Sequence, residues 1–73
     1  MDIVVHSIDG CYYCDRTKIF LDSINKPYSV INYTRDDTHK IIEVTKYKKF
    51  PQIFINGEFI GGYTDMVEKI CKF

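Results

Sequence analysis

Two cysteines separated by two tyrosines, in the segment Cys11-Tyr12-Tyr13-Cys14, constrain the fold more than any other part of the chain. A short β-branched run precedes this segment, and apolar residues at helical spacing follow it. The pattern therefore predicts a strand that leads through a turn into a helix starting at Cys11. Unpaired backbone N–H groups and the helix dipole favour negative charge at a helix start, so a thiolate at Cys11 is stabilised there.

The cysteine pair has three interpretations: a dithiol redox centre, half of a metal site, or two core thiols. A structural zinc site needs four ligands, and the remaining candidates, Cys71, His6 and His39, match no common spacing. We therefore favour a redox centre and expect no metal. In it, Cys11 attacks a disulfide sulfur, and Cys14 either resolves the mixed disulfide or stays a spectator.

The periodicity of the whole chain predicts the element order β-α-β-α-β-β-α. Apolar and β-branched runs mark strands at residues 2–7, 28–33, 52–55 and 58–60. The Asn56-Gly57 pair between the last two runs is a strong hairpin signal, because a type I′ turn needs positive φ at both positions. Helices are predicted from Cys11 to Asn25, from about Thr38 to Tyr47, and from about Asp65 onward with Thr64 as its cap.

The inward faces of these helices follow from residue spacing. They consist of Cys14, Thr17, Leu21 and Ile24 in the first helix, Ile41, Val44 and Thr45 in the second, and Tyr63, Met66, Val67 and Ile70 in the third. Helix-linked parallel strands plus a hairpin make a mixed four-stranded sheet flanked by three helices, an α/β fold.

Two further segments have both a structural and a functional interpretation. Pro51 either simply begins a strand or forms a cis Phe50–Pro51 bond that leaves the Phe50 backbone free to pair with an extended thiol peptide. The segment Gly61-Gly62-Tyr63-Thr64-Asp65 is either a loop with a helix cap or a carboxylate site built from free N–H groups, in which Asp65 pairs with a ligand ammonium.

Length and charge exclude several classes of protein. The 73 residues suit a single domain, 1–73, and ten basic residues balance ten acidic ones, unlike a nucleic-acid-binding protein. No run reaches the length of a membrane span and no secretion signal is recognisable, so we expect a cytoplasmic protein. We also expect a monomer. Three cysteines, an odd number, argue against a disulfide-stapled secreted scaffold.

Taken together, the segments Cys11–Cys14, Phe50–Ile55 and Gly61–Asp65 resemble the motifs of a glutaredoxin, in the family's order and with similar spacing. The resemblance covers essentially the whole chain and implies the thioredoxin fold with glutathione as co-substrate. It implies Cys11 as nucleophile, Cys14 as resolving thiol and Pro51 as a cis-proline. The residues it implies for glutathione binding are Tyr13, Phe50, Pro51, Gly62, Tyr63, Thr64 and Asp65.

The implied activity is glutathione-dependent reduction of protein disulfides and of glutathione mixed disulfides on proteins. Ribonucleotide reductase is a common client of the family. Two alternatives stay open: a thioredoxin-like redoxin reduced by a flavin enzyme, and a carrier in which an iron–sulfur cluster bridges two chains.

The chain departs from the family pattern at two positions. Tyr12 stands where the family usually has proline, which should alter the first helical turn and the balance of dithiol and disulfide. Ile8 stands where a lysine commonly helps to hold a glutathione carboxylate, and the alternative sources of that charge are Lys46, Lys48 and Lys49. Arg16 and Lys18 are expected to be solvated, and Cys71 to be a buried or semi-exposed structural thiol.

Overall fold

The computed structural model of the chain describes residues 1–71 and confirms the predicted element order. These residues form four strands and three helices. Their bounds are β1 Ile3–Ile8, α1 Tyr12–Ser23, β2 Ser29–Tyr33, α2 His39–Thr45, β3 Gln52–Ile55, β4 Glu58–Gly61 and α3 Tyr63–Cys71. Among residues 1–71 no helix has the length and apolar character needed to cross a membrane.

The four strands form one mixed sheet in the order β2-β1-β3-β4. β1 pairs in parallel with β2 and antiparallel with β3, while β3 and β4 form the predicted antiparallel hairpin. In the turn, Asn56 has φ 53° and Gly57 has φ 81°, as the type I′ turn requires. The parallel β1–α1–β2 unit places the carboxyl end of central strand β1 directly before the cysteine pair.

One face of the sheet carries the main apolar core. Side chains alternate along β1, so Ile3 and Val5 point into this core, and both are at most 1% exposed. Leu21 of α1 and Met66 of α3 are fully buried against the same cluster, which is completed by β3. α1 and α3 therefore cover the same face of the sheet, and their N-termini lie on the side where the functional residues were predicted.

The other face of the sheet is lined by aromatic rings. His6 of β1 contacts the Phe54 ring edge-on at 5.1 Å between centroids, and Phe54 contacts Phe59 at 5.4 Å. Phe59 in turn contacts Tyr47, which follows α2, at 5.5 Å. The Tyr33 ring is tilted against that of Phe50 at 6.3 Å between centroids, so this aromatic layer reaches the residue that precedes Pro51. Sequence periodicity gave no indication of this second cluster.

α1 ends two residues earlier than predicted. The proline-based prediction continued the helix to Asn25, but the last helical residue is Ser23, because Asn25 takes the left-handed conformation with φ 56°. Its N–H donates to the Asp22 carbonyl at 3.1 Å, and the next N–H donates to the Leu21 carbonyl, a Schellman arrangement. Ile24 is therefore outside the helix and 38% exposed, so its assignment to the inward face was wrong.

α2 is shorter than predicted at both ends. It ends at Thr45 rather than Tyr47, since Lys46 adopts φ 63°. Thr38 makes no capping bond to the helix, because its hydroxyl donates instead to the Arg35 carbonyl at 3.1 Å. Ile41 is buried as predicted, but Val44 is 71% exposed, so that part of the apolar stripe was also wrong. A seven-residue helix presents too few positions for spacing alone to fix its buried face.

Candidate active site

Cys11 caps the N-terminus of α1 rather than belonging to the helix. Gly10, with φ 72°, turns the chain after β1, and Cys11 has the extended backbone typical of an N-cap, with φ −97° and ψ 114°. Its Sγ accepts a 3.1 Å hydrogen bond from the Cys14 backbone N–H. The Cys11 sulfur is half-buried and faces the first-turn amides of α1, so it lies at the positive end of the helix dipole.

Cys14 lies in a different environment, although it is one turn away. Its side chain is 1% exposed, and burial raises the pKa of the Cys14 thiol to about 11. The neighbouring Cys11 side chain raises the pKa further, and the Ile8 backbone opposes the shift weakly. Cys14 is therefore protonated near neutral pH, which leaves Cys11 as the attacking sulfur. Cys11 is also the more exposed of the two cysteines, and no disulfide joins them in the structure.

A single cleft contains all seven residues predicted to bind glutathione. Its volume is about 280 Å³, and its floor includes the Phe50–Pro51 bond, which is cis, in agreement with the functional interpretation of that position. The cleft is lined by Tyr13, Tyr47, Lys49, Phe50, Pro51, Gly62, Tyr63, Thr64 and Asp65. Tyr13 belongs to α1 and lies between the cysteines, so it connects the cleft to the dithiol.

The glycine-rich segment forms one wall of the cleft in a way that differs from the prediction. α3 begins at Tyr63, so Gly62, and not Thr64, occupies the cap position. The Asp65 carboxylate reaches back and accepts the Gly62 N–H at 3.0 Å, which is half of a capping box. The next two amides, of Tyr63 and Thr64, have no acceptor within the helix by geometry. They make the cleft side of α3 suited to an anion.

Because Gly62 has no side chain, the start of α3 can lie close to Tyr47 and Pro51 on the other side of the cleft. A Cβ at this position would lie 3.0 Å from the Tyr47 hydroxyl and 3.6 Å from the Pro51 carbonyl oxygen. Tyr47 is a lining residue that sequence reasoning missed. It follows the end of α2, and no sequence motif marks its position.

A buried glutamine holds the part of the cleft formed by Tyr47 in place. Gln52 is fully buried; its amide nitrogen donates to the Tyr47 carbonyl at 2.6 Å, and its amide oxygen accepts the Thr45 hydroxyl at 2.6 Å. The Tyr47 N–H donates to the Thr45 hydroxyl at 3.2 Å, which closes the network. Since buried polar groups are costly to leave unpaired, this network fixes the loop between α2 and Pro51.

The positive charge of the cleft comes from Lys49. Of the three lysines considered as substitutes for the family's usual lysine, Lys49 lines the cleft and Lys46 and Lys48 do not. Ile8, the residue at the usual position, is the last residue of β1 and is also absent from the lining.

Arg16 is exposed, as expected of a solvated side chain, and its guanidinium also contacts two tyrosines. Its guanidinium carbon lies 5.7 Å from the centroid of the Tyr12 ring and 5.7 Å from that of Tyr63. One guanidinium nitrogen donates to the Tyr12 hydroxyl at 3.2 Å. Tyr12 lies one turn before Arg16 on α1, a spacing visible in the sequence, whereas the contact with Tyr63 arises only from the packing of α1 against α3.

The remaining candidates lie outside this site. Cys71 is exposed at the end of α3, so the expectation of a buried or semi-exposed thiol was wrong. The Nδ1 atom of His6 is 2.8 Å from the Tyr33 hydroxyl, and burial lowers the pKa of the His6 imidazole. Within residues 1–71, no three His, Cys, Asp or Glu side chains are grouped so that they could hold a metal ion.

The fold and the site define the class. A mixed sheet of this order, a cysteine pair at the start of the first helix and a cis-proline before β3 together make a thioredoxin fold with a dithiol at its redox end. The sequence model of the glutaredoxin family matches residues 3–60. The chain belongs to the glutaredoxin family.

Individual relatives agree with this assignment. Glutaredoxin 1 of Rickettsia conorii is 38% identical over 64 residues, a match covering 82% of this chain and 63% of the relative. The human mitochondrial glutaredoxin-2 is 32% identical over 68 residues, covering 86% of this chain and 42% of the relative. This chain therefore spans less than two thirds of the length of these two proteins.

A solved structure shows the same fold. The structure of a buckwheat glutaredoxin–glutathione complex superposes with a TM-score of 0.82 at 29% identity and covers 96% of this chain and 68% of that one. The predicted fold class, a thioredoxin fold with three helices around a mixed four-stranded sheet, is confirmed.

Proposed function

We propose that this protein is a glutathione-dependent thiol–disulfide oxidoreductase that uses Cys11 as nucleophile and Cys14 as resolving thiol. The observation that carries the proposal is the cleft in which Phe50, Pro51 and residues 62–65 meet Tyr13, the residue between the two cysteines. A thiol-containing tripeptide bound in this cleft would lie beside the dithiol. Membership of the glutaredoxin family and the glutathione complex of the buckwheat relative support this assignment.

The reaction begins at Cys11. Its thiolate attacks one sulfur of a substrate disulfide, the S–S bond breaks, and the released sulfur leaves as a thiolate that takes up a proton. For a glutathione mixed disulfide on a protein, the protein thiol leaves and glutathione becomes bonded to Cys11. A second glutathione then attacks the glutathione sulfur, releases oxidised glutathione and regenerates the Cys11 thiolate.

Cys14 supports a second route for protein disulfides. After Cys11 bonds to one sulfur of the protein, Cys14 attacks the Cys11 sulfur, which releases the reduced protein and leaves a Cys11–Cys14 disulfide. Two glutathione molecules then reduce that disulfide. The burial of Cys14 and its pKa of about 11 agree with a thiol that does not compete for the first attack.

Glutathione recognition follows from the charges of the cleft. The free amides at the start of α3 suit the γ-glutamyl carboxylate, and Asp65 suits the ammonium beside it. Lys49, on the opposite wall, suits the glycine carboxylate. The backbone of Phe50 is available to pair with the cysteine residue of glutathione. The expected partners are therefore glutathione, proteins that carry a glutathione mixed disulfide, and proteins with an accessible disulfide.

The assay that tests this function follows reduction of a small glutathione mixed disulfide, coupled to NADPH oxidation through glutathione reductase. We expect turnover that depends on glutathione and is absent from the Cys11→Ser variant. Failure of the wild-type protein in this assay would contradict the proposal. Reduction of a protein disulfide with electrons from thioredoxin reductase, unaffected by added glutathione, would instead identify a thioredoxin-like redoxin.

A further inference from the structure

The contacts of Arg16 connect the first turns of two helices. Tyr12 is the first residue of α1, and Tyr63 is the first residue of α3. The Arg16 guanidinium lies at 5.7 Å from both ring centroids and donates to the Tyr12 hydroxyl. A planar cation can contact an aromatic ring on each of its faces, whereas a lysine ammonium provides only a point charge.

Tyr63 is the residue through which Arg16 contacts the cleft. Tyr63 lines the cleft, and its ring is contacted by Tyr13 at 5.8 Å and by Phe20 at 6.4 Å between centroids. Arg16 adds a third neighbour from the solvent side. The position of the Tyr63 ring therefore depends on contacts from α1, although Tyr63 itself belongs to α3.

Tyr12 is the residue through which Arg16 contacts the segment of the two cysteines. A proline at this first helical position would fix φ and pre-organise the turn, but tyrosine does not restrict its own backbone. The Tyr12 side chain is 65% exposed and would be free to rotate without its contacts. Its hydroxyl bond to Arg16 and its edge-on contact with Tyr13, at 5.2 Å, hold it beside the dithiol.

We propose that Arg16 is a positioning residue for glutathione binding, because it ties the dithiol turn of α1 to the cleft wall formed by Tyr63. This inference rests on the proposed function. Without the guanidinium, the Tyr12 side chain loses its hydrogen bond and the Tyr63 ring loses one of its three neighbours. Tyr63 can then take up a wider range of positions in the wall of the cleft. Affinity for the glutathione moiety falls, while the attacking sulfur and its amide donor from Cys14 stay in place.

A charge effect on the Cys11 thiolate is the alternative role for Arg16, and a lysine variant separates the two. Arg16→Lys keeps the positive charge but cannot contact both rings, whereas Arg16→Gln removes the charge and the contacts. Arg35 provides the matched control, because it is the other arginine of the chain, is exposed, and does not line the cleft. Arg35→Gln changes the net charge by the same amount as Arg16→Gln.

The test measures KM and kcat for a glutathione mixed disulfide in the coupled assay, together with the unfolding temperature of each variant. We expect KM to rise about fivefold to thirtyfold in both Arg16→Gln and Arg16→Lys, the size expected for loss of two exposed cation–π contacts, with kcat within about twofold of wild type. Arg35→Gln should keep the wild-type KM. Tyr12→Phe, which keeps the ring but loses the hydroxyl acceptor, should show a smaller rise.

Each other outcome overturns the inference. A wild-type KM in Arg16→Lys would assign the effect to charge, and a wild-type KM in Arg16→Gln would assign no role to Arg16. A lower unfolding temperature and kcat with unchanged KM would show a purely structural residue. An inactive wild-type protein would overturn the proposed function as well, whereas active wild type with unaffected Arg16 variants would overturn this inference alone.

Discussion

The backbone N–H of Cys14 donates a 3.1 Å hydrogen bond to the sulfur of Cys11, so the second cysteine of the pair stabilises the first through its main chain. This bond is the N-cap interaction of α1, with sulfur in the place that a serine or aspartate oxygen usually takes. The side chain of Cys14 is buried beneath it. The two cysteines therefore differ in environment: the Cys11 sulfur accepts a hydrogen bond at the helix start, and the Cys14 thiol is buried. The proposed reaction needs this difference, because Cys11 attacks first and Cys14 acts second.

The buried Cys14 thiol makes the stability of the reduced protein depend on alkaline pH. Its pKa is raised to about 11 in the folded state, chiefly by burial, so the folded form binds this proton more tightly than the unfolded form does. The stabilisation is complete below the pKa of an unfolded cysteine and is lost as pH rises through about 11. Reduced wild type should lose on the order of 1–2 kcal/mol between about pH 8 and about pH 10.5 through this group.

Urea unfolding of the reduced protein at the two pH values measures this loss. Cys14→Ala removes the titrating group and should show a correspondingly smaller decrease in the free energy of unfolding. Cys71→Ser, which removes an exposed thiol, should follow wild type. Equal pH dependence in wild type and Cys14→Ala would contradict the prediction.

Gly61 and Gly10 both have positive φ, but they should differ in their tolerance of alanine. Gly61 has φ 126°, and a Cβ there would overlap the Asp65 carboxylate. Gly10 has φ 72°, with no atom within 4 Å of the added Cβ. Gly61→Ala should lower the free energy of unfolding by about 2–3 kcal/mol and Gly10→Ala by about 1 kcal/mol, since only the former adds a clash to backbone strain.

Equilibrium denaturation of the two variants in parallel makes this comparison, with Gly10→Ala serving as the control for positive φ alone. Equal losses would show that the Asp65 contact does not restrict Gly61.

Alanine at Gly62 should narrow the glutathione cleft. The added Cβ would lie 3.0 Å from the Tyr47 hydroxyl, so the Tyr47 ring must shift by a few tenths of an ångström. We expect KM for a glutathione mixed disulfide to rise about fivefold, equivalent to about 1 kcal/mol. The double variant Gly62→Ala/Tyr47→Phe, which lacks the crowded hydroxyl, should recover part of this loss. A double variant no better than Gly62→Ala would place the obstruction elsewhere.

Local signals in the sequence were sufficient for most of the fold. The Asn56-Gly57 turn and the β-branched run of β1 depend on backbone geometry within a few residues, and the turn and the strand were both predicted correctly. Errors occurred where tertiary contacts decided the outcome. Val44 and Ile24 have suitable spacing for an inward face but are exposed, because α2 is short and α1 ends before Ile24.

The site was predicted only in part, because tertiary contacts also decide which residues reach it. The motif residues meet in one cleft, but Tyr47 and Arg16 were missed as contributors because their roles come from packing between elements. Tyr47 reaches Gly62 across the cleft, and Arg16 reaches Tyr63 from α1 to α3. The start of α3 was misplaced, because Gly62 and not Thr64 is the residue before the helix, and the Asp65 carboxylate accepts the Gly62 N–H.

The most direct test of the central claim is to identify the cysteine that glutathione modifies in the Cys14→Ser variant. The variant would be incubated with oxidised glutathione, digested, and analysed by peptide mass spectrometry without reduction. We predict that glutathione is attached at Cys11, that Cys71 remains largely unmodified, and that this species turns over when glutathione is added. Modification at Cys71 in preference to Cys11, or a Cys11 adduct that glutathione does not release, would contradict the account.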